Sequence, residues 1–139
     1  MSNIDLTKSE QYTLSIRLSA DGFSFSVYHP QKTEDFLHAS YTVNPSYSMT
    51  ANIKKMFASM NELSQPYQQV NILIDTERFT TVPFDLFEDE LTEELFHQNF
   101  LKDDNETILC NILGKSNVAL LFGMDRHAHQ ALIEHLGQV

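Results

Sequence analysis

The chain has 139 residues, 42% hydrophobic and 20% charged, with ten Phe, five Tyr and no Trp. That is the size of one domain, able to bury roughly 70% of its unfolded surface without disulfide or metal staples. Nineteen acidic residues against nine basic ones leave a formal net charge of −10, which disfavours a nucleic-acid partner, whose backbone calls for clustered Lys and Arg, and an anionic membrane surface.

Cys110 is the single cysteine, so an intramolecular disulfide is excluded. Its neighbours Ile108, Leu109 and Ile112 predict a buried thiol acting as a small hydrophobe. Met1 to Glu10 is polar and does not read as a signal peptide. No stretch approaches the ~18 apolar residues of a transmembrane helix, and the expected location is cytoplasmic.

In chain order, Met1 to Gln11 reads as a frayed lead-in. Tyr12 to Ser19 alternates, with Tyr12, Leu14, Ile16 and Leu18 on one face, which predicts a half-buried strand. Asp21-Gly22 is a strong hairpin signal, and Phe23, Phe25 and Val27 face one way on the strand that follows. After the turn at His29-Pro30, a third strand over Thr33 to Val43 has Phe36, His38, Tyr41 and Val43 as its facing residues. Its looser pattern fits an edge strand or a bulge.

Asn44-Pro45-Ser46 ends the sheet, and Ser48 is placed to cap a helix running to Leu63. Met49, Ile53, Met56, Phe57, Met60 and Leu63 form one stripe of it, expected to pack on the sheet. The run from Val70 to Phe87 organises the rest. Gln69 to Ile74 has apolar residues on both faces, as a central parallel strand does. Thr81 is expected to cap a short helix with Pro83 in its first turn, and Phe84, Leu86 and Phe87 to pack inward. Glu88-Asp89-Glu90 suits the start of the next helical segment, whose dipole favours negative charge; that segment carries Leu91, Leu95, Phe96 and Phe100. Two strands follow, Thr107 to Leu113 and Asn117 to Met124, joined by Gly114-Lys115-Ser116. Asp125 caps a last helix with Ala128, Ala131, Leu132 and Leu136 on one face, and Gly137 sits at a C′ position. The predicted order β-β-β-α-β-α-β-β-α is a mixed α/β domain that begins as a ribonuclease-H-like unit does, with the strand from Gln69 parallel to the first strand.

The runs Leu14 to Val27 and Phe79 to Phe87, with Glu106 to Met124 leading into Asp125, resemble the N-terminal half of an uncharacterised Bacteroidetes family with an actin-like ATPase fold. The resemblance spans nearly all of this chain and about half of a typical member. It implies kinship with actin, sugar kinases and pilus-assembly proteins, and a single subdomain, residues 1–139, of a longer two-subdomain protein. No activity or binding residues are established for the family. Nucleotide-binding members of the superfamily carry an Asp-x-Gly motif with a following Thr or Ser at the first hairpin. Here Ser19-Ala20-Asp21-Gly22-Phe23-Ser24 sets Asp21 against the Gly, with Phe23 where a small polar residue is wanted. Asp21, Gly22 and Ser24 are the weak candidates for a nucleotide site.

Other candidates each have a plainer account. Gly114-Lys115-Ser116 echoes a phosphate-binding loop but has Leu109 where a glycine is needed, and strands on both sides. Asp75, at a strand end, is where a nuclease carboxylate would help hold two metal ions, but the first strand offers Ile16-Arg17-Leu18 and no carboxylate, and Glu62 does not complete the set. His127, His129 and His135 lack the i, i+4 spacing of helical metal ligands. No catalytic residue, metal site or cofactor is predicted; ATP and Mg enter only if the chain is one lobe of a nucleotide-binding protein. Glu88-Asp89-Glu90 with Glu93-Glu94 reads as a solvated helix face or as a docking surface for a basic partner. A non-catalytic protein-interaction or assembly module is the first expectation, with self-association through an open sheet edge or apolar patch if a strand normally follows Gly137.

Overall fold

A computed structural model gives the structure of residues 6–136, with every side chain but those of residues 33 and 35. The chain divides into two compact units, residues 1–75 with 130–139, and residues 76–129.

The first unit holds a four-stranded sheet of β1 (Thr13–Ser19), β2 (Gly22–His29), β3 (Lys32–Tyr41) and β4 (Gln69–Ile74), in the order β3-β2-β1-β4. β1, β2 and β3 are joined as antiparallel hairpins, and β4 runs parallel to β1. The alternation places Tyr12, Leu14, Ile16 and Leu18 with Phe23, Phe25 and Val27 in the core. Leu6–Gln11, expected to fray, forms a 3-10 turn instead. It is tied down because Ser9 is buried and donates its hydroxyl to the carbonyl of Pro66.

β3 is an edge strand, with a register irregularity at Tyr28/His29. Of its expected facing residues, Tyr41 does stand on the inner face, where Tyr41, Ala39 and Leu37 are opposite Phe23, Phe25 and Val27, while Phe36 and His38 stand opposite Tyr28 and Ser26 on the outer face. The expected set mixes even and odd positions, which strand alternation sends to opposite faces. β4 is parallel to β1 as expected, but it is an edge strand and not a central one. Val70 and Leu73 are 37% and 62% exposed.

Helix α1 (Met49–Ser59) starts where Ser48 Oγ accepts from Ala51 N at 3.1 Å. It stops at Met60, and a 3-10 turn over Asn61–Ser64 replaces its expected last turn. Ile53, Met56, Phe57 and Leu63 of the stripe are buried. Asn52 is buried too, and its amide holds the turn before the helix through Asn44 N, Asn44 O, Tyr47 O and Ser48 O.

The second unit holds a three-stranded antiparallel sheet, β5 (Phe79–Pro83), β6 (Glu106–Leu113) and β7 (Val118–Asp125), in the order β5-β7-β6. β5 stands where a helix start was expected at Thr81-Val82-Pro83. The β-branched Thr80, Thr81 and Val82 pair with Leu121, Leu120 and Ala119 of β7, and Pro83 ends an edge strand, where its missing N–H is tolerated. The element order therefore contains one strand more than predicted. Glu88-Asp89-Glu90 does lead into helical structure, a 3-10 turn over Asp89–Leu91 and then α2 (Thr92–His97). Phe96 of α2 is buried with Val82, Ala119 and Leu121, and Phe87, Leu95, Phe100 and Ile108 pack around them. Phe84 and Leu86, expected inside, are 48% and 68% exposed.

Helix α3 (Arg126–Leu136) is capped by Asp125, whose Oδ1 accepts from Ala128 N at 2.9 Å. Ala128, Ala131 and Leu132 are buried, and His135 stacks flat on Phe57 of α1 with centroids 4.7 Å apart. Gly137 lies outside the described residues.

Candidate functional site

In open α/β sheets, ligands bind outside the carboxyl ends of the strands. In the first unit, that place is the end of β1 and β4 together with the β1–β2 hairpin. Asp75 N donates to Leu18 O at 3.0 Å, so the end of β4 lies against the last residues of β1. Ser24, Arg17 and Leu73 form one row across β2, β1 and β4. Asp75 lies two residues beyond Leu73, and strand alternation returns it to the same face. Arg17 reaches across, and its guanidinium meets Asp75 Oδ2 at 2.9 Å, with both side chains about half exposed.

This pair gives Asp75 a cation where a two-metal site would want a second carboxylate. Its net charge is zero, so it does not attract a divalent ion as a bare carboxylate pair does. The remaining predicted candidates sit close by in sequence but form no cradle. Asp21 is exposed, and its backbone N–H donates to Ser19 Oγ at 3.3 Å, a local turn contact. Gly22 and Ser24 are half-buried, and Ser24 follows the buried Phe23 along β2. The outer face continues in polar rows: Ser15 is opposite Ser26, and Ser26 Oγ meets His38 Nδ1 at 2.9 Å.

Gly114-Lys115-Ser116 forms a 3-10 turn between β6 and β7, followed by Asn117 in the left-handed region at φ 54°. It is an exposed hairpin connection with no helix behind it. His127 is exposed, His129 is half-buried and His135 is engaged with Phe57. Among the described residues, no group of three or more His, Cys, Asp or Glu side chains is arranged to hold a metal ion. Nor, among them, is any helix long and apolar enough to cross a membrane. Glu62 accepts at its backbone carbonyl from the Tyr67 hydroxyl. Burial first, and the Glu62 charge second, push the Tyr67 phenol up to about 12.

One feature of the second unit is not legible in the sequence, and another is legible only in its acidic residues. Arg78 Nε and Nη2 donate to the Glu106 carboxylate at 2.7 and 2.9 Å, and Nη2 also donates to Leu101 O. The Arg78 guanidinium lies over the rings of Phe96 and Phe100, and the hydrogen bonds to Glu106 hold its pKa above the ordinary arginine value. Glu106 is 7% exposed, and it fits because residue 123 is glycine: a Cβ there would clash with its carboxylate.

The second feature is a groove of about 540 Å³ lined by Phe84, Phe87, Glu88, Asp89, Glu90 and Ile112. Cys110, expected to be buried, is exposed on β6. β6 is an edge strand whose residues from Cys110 to Leu113 all face water. Partial desolvation, and then the charge of Asp89, raise the Cys110 thiol above its ordinary pKa.

Comparison with known proteins agrees with this fold. Residues 1–139 match the profile of a family described as a protein of unknown function, DUF3822. A crystal structure at 1.85 Å from Bacteroides thetaiotaomicron, of a protein with an actin-like ATPase fold and unknown function, superposes with a TM-score of 0.86 at 48% identity. The match covers 95% of this chain and 51% of that one, so the chain spans about half the length of this structural relative. A search of curated proteins gave no match.

Proposed function

We propose that this chain, which belongs to the DUF3822 family and has an actin-like ATPase fold, is a non-catalytic protein-interaction and assembly module. The observation that carries the proposal is the free edge of β4. Its sequence, Gln69-Val-Asn-Ile-Leu-Ile74, has no Lys, Arg or Pro to blunt the edge, and Leu73 is 62% exposed. An open, apolar edge strand is a template for pairing with another chain. The Arg17–Asp75 pair supports the same function, since it occupies the carboxyl end of the parallel strands with neutralised groups.

The alternative, one lobe of a nucleotide-binding actin-like ATPase, is favoured by one observation. The hairpin bearing Asp21, Gly22 and Ser24 lies at the carboxyl end of β1, beside the end of β4, where such folds place ligands. ATP and Mg would be its ligands, with the site completed by the rest of a longer protein or by another chain.

Sedimentation of wild type and Leu73→Lys separates the two. The module predicts a concentration-dependent dimer or larger species that Leu73→Lys disperses. A wild type that stays monomeric at high concentration, with a melting temperature that rises with Mg-ATP and not in Asp21→Ala, would replace the module with the ATPase lobe.

A further inference from the structure

We infer that the groove lined by Phe84, Phe87, Glu88, Asp89, Glu90 and Ile112 docks a basic peptide segment that carries an apolar side chain between its Lys or Arg residues. It goes beyond the assembly role proposed above, since it lies on the other sheet and does not need β4.

Two independent properties of the groove define the occupant. The first is apolar surface held open to water. Phe84 is 48% exposed and Ile112 is 45% exposed, although buried places exist in the same unit for Phe96 and Val82. A groove of about 540 Å³ is of the size that receives a few side chains. The second is uncompensated negative charge. Glu88, Asp89 and Glu90 line the groove, and none has an ion-pair partner among the described residues. The sequence has no Lys or Arg between Arg78 and Lys102, and Arg78 is committed to Glu106. Three consecutive like charges repel one another, and a cationic partner relieves that repulsion as it binds.

Together these properties narrow the chemistry. A bare cation leaves the aromatic floor in water, and the described residues gather no metal-ligand set. Nucleic acid and anionic lipid are repelled. A second copy carries the same net charge of −10 and is repelled at long range. An extended basic segment satisfies both properties: its cations pair with the rim and its apolar side chain covers Phe84 and Ile112. β6 is an edge strand beside the groove, so such a segment can also find backbone partners there.

The test uses the whole chain and a fluorescein-labelled peptide of lysines interrupted by leucines, with oligolysine of equal length as the charge-only control. The leucine-bearing peptide should bind more tightly than oligolysine and slow alkylation of Cys110, which lies two residues before Ile112 on β6. Glu88→Gln/Asp89→Asn/Glu90→Gln should weaken binding about tenfold or more and flatten its salt dependence. Phe84→Ser/Ile112→Ser should remove the advantage over oligolysine at every salt concentration. Both variants change exposed side chains, and an unchanged melting temperature verifies their fold. Equal binding of the two peptides, absence of binding, or binding indifferent to both variants overturns the proposal. Leu73→Lys should leave peptide binding intact; its loss in that variant would assign the peptide to the β4 edge instead.

Discussion

In the sheet β3-β2-β1-β4, the inward positions of β1 and β2 are buried from Leu14 to Val27, whereas the sheet β5-β7-β6 buries a smaller set, Val82, Ala119 and Leu121 clustered with Phe96 of α2, and Met124 near the end of β7. Residues 76–129 also carry eleven of the nineteen acidic residues and four of the nine basic ones. The first unit is therefore held by apolar area at about 25 cal/mol per Å² removed from water. The second has a small core, self-repelling charge and one strong polar lock, Arg78–Glu106 under two phenylalanine rings. Stability and surface chemistry are thus divided between the units: the first has a deep core, and the second carries most of the acidic residues.

Substituting Phe25 by Ala should show the contrast most strongly. Phe25 is among the largest fully buried side chains, and its loss should cost about 3–5 kcal/mol, read by urea unfolding. A cost below about 1 kcal/mol would break the comparison, because the first unit would then not depend on packing. Gly123→Ala should come next, at about 1–3 kcal/mol, because it evicts Glu106 from Arg78 and leaves a buried carboxylate poorly satisfied. Native-state hydrogen exchange should report that loss in β6 and β7 and spare β1 and β2.

The smallest effect tests for a polar tie inside the first unit. The folded-state pKa of Tyr67 is raised from 10.0 to about 12, so folding favours its neutral phenol. The associated stability is full below pH 10 and is lost as pH rises through about 12. Unfolding midpoints measured stepwise over this window should fall in the wild type and fall less in Tyr67→Phe. Identical profiles would remove Tyr67 from the forces holding the first unit.

The same contrast governs what the sequence revealed. The hairpin from Tyr12 to Tyr28 was legible because strict alternation and Asp21-Gly22 are local signals, and the caps Ser48 and Asp125 were legible for the same reason. β5 was not. Thr81 and Pro83 satisfy a helix start as well as they satisfy the end of an edge strand, and pairing with β7, from Phe79 opposite Phe122 to Pro83 opposite Val118, decides between them. Apolar residues on both faces of Val70 to Ile74 do not separate a central strand from an edge one. Cys110 has apolar neighbours but lies on the outermost strand of its sheet. At the candidate site, the sequence shows Arg17 in the place of a second carboxylate, but only the parallel register shows that it meets Asp75, 58 residues further along the chain. The groove on the second unit was half legible. The carboxylates announce themselves as a run, but the exposure of Phe84 follows from β5, which the pattern did not reveal, and that of Ile112 from the edge position of β6.

The parallel pairing of β1 with β4 also sets a schedule for biosynthesis. β1, β2 and β3 are joined by short turns, so they can pair as soon as residues 13–41 have left the ribosome. The partner of Thr13 is Gln69 and that of Leu18 is Ile74, so one side of β1 stays unpaired until the whole of α1 has been synthesised. Closing that long loop is the slow, non-local step. During that interval the nascent chain displays β1, whose Leu14, Ile16 and Leu18 are buried in the finished fold, along a bare edge, which makes β1 a place where a crowded polysome or a chaperone would make contact.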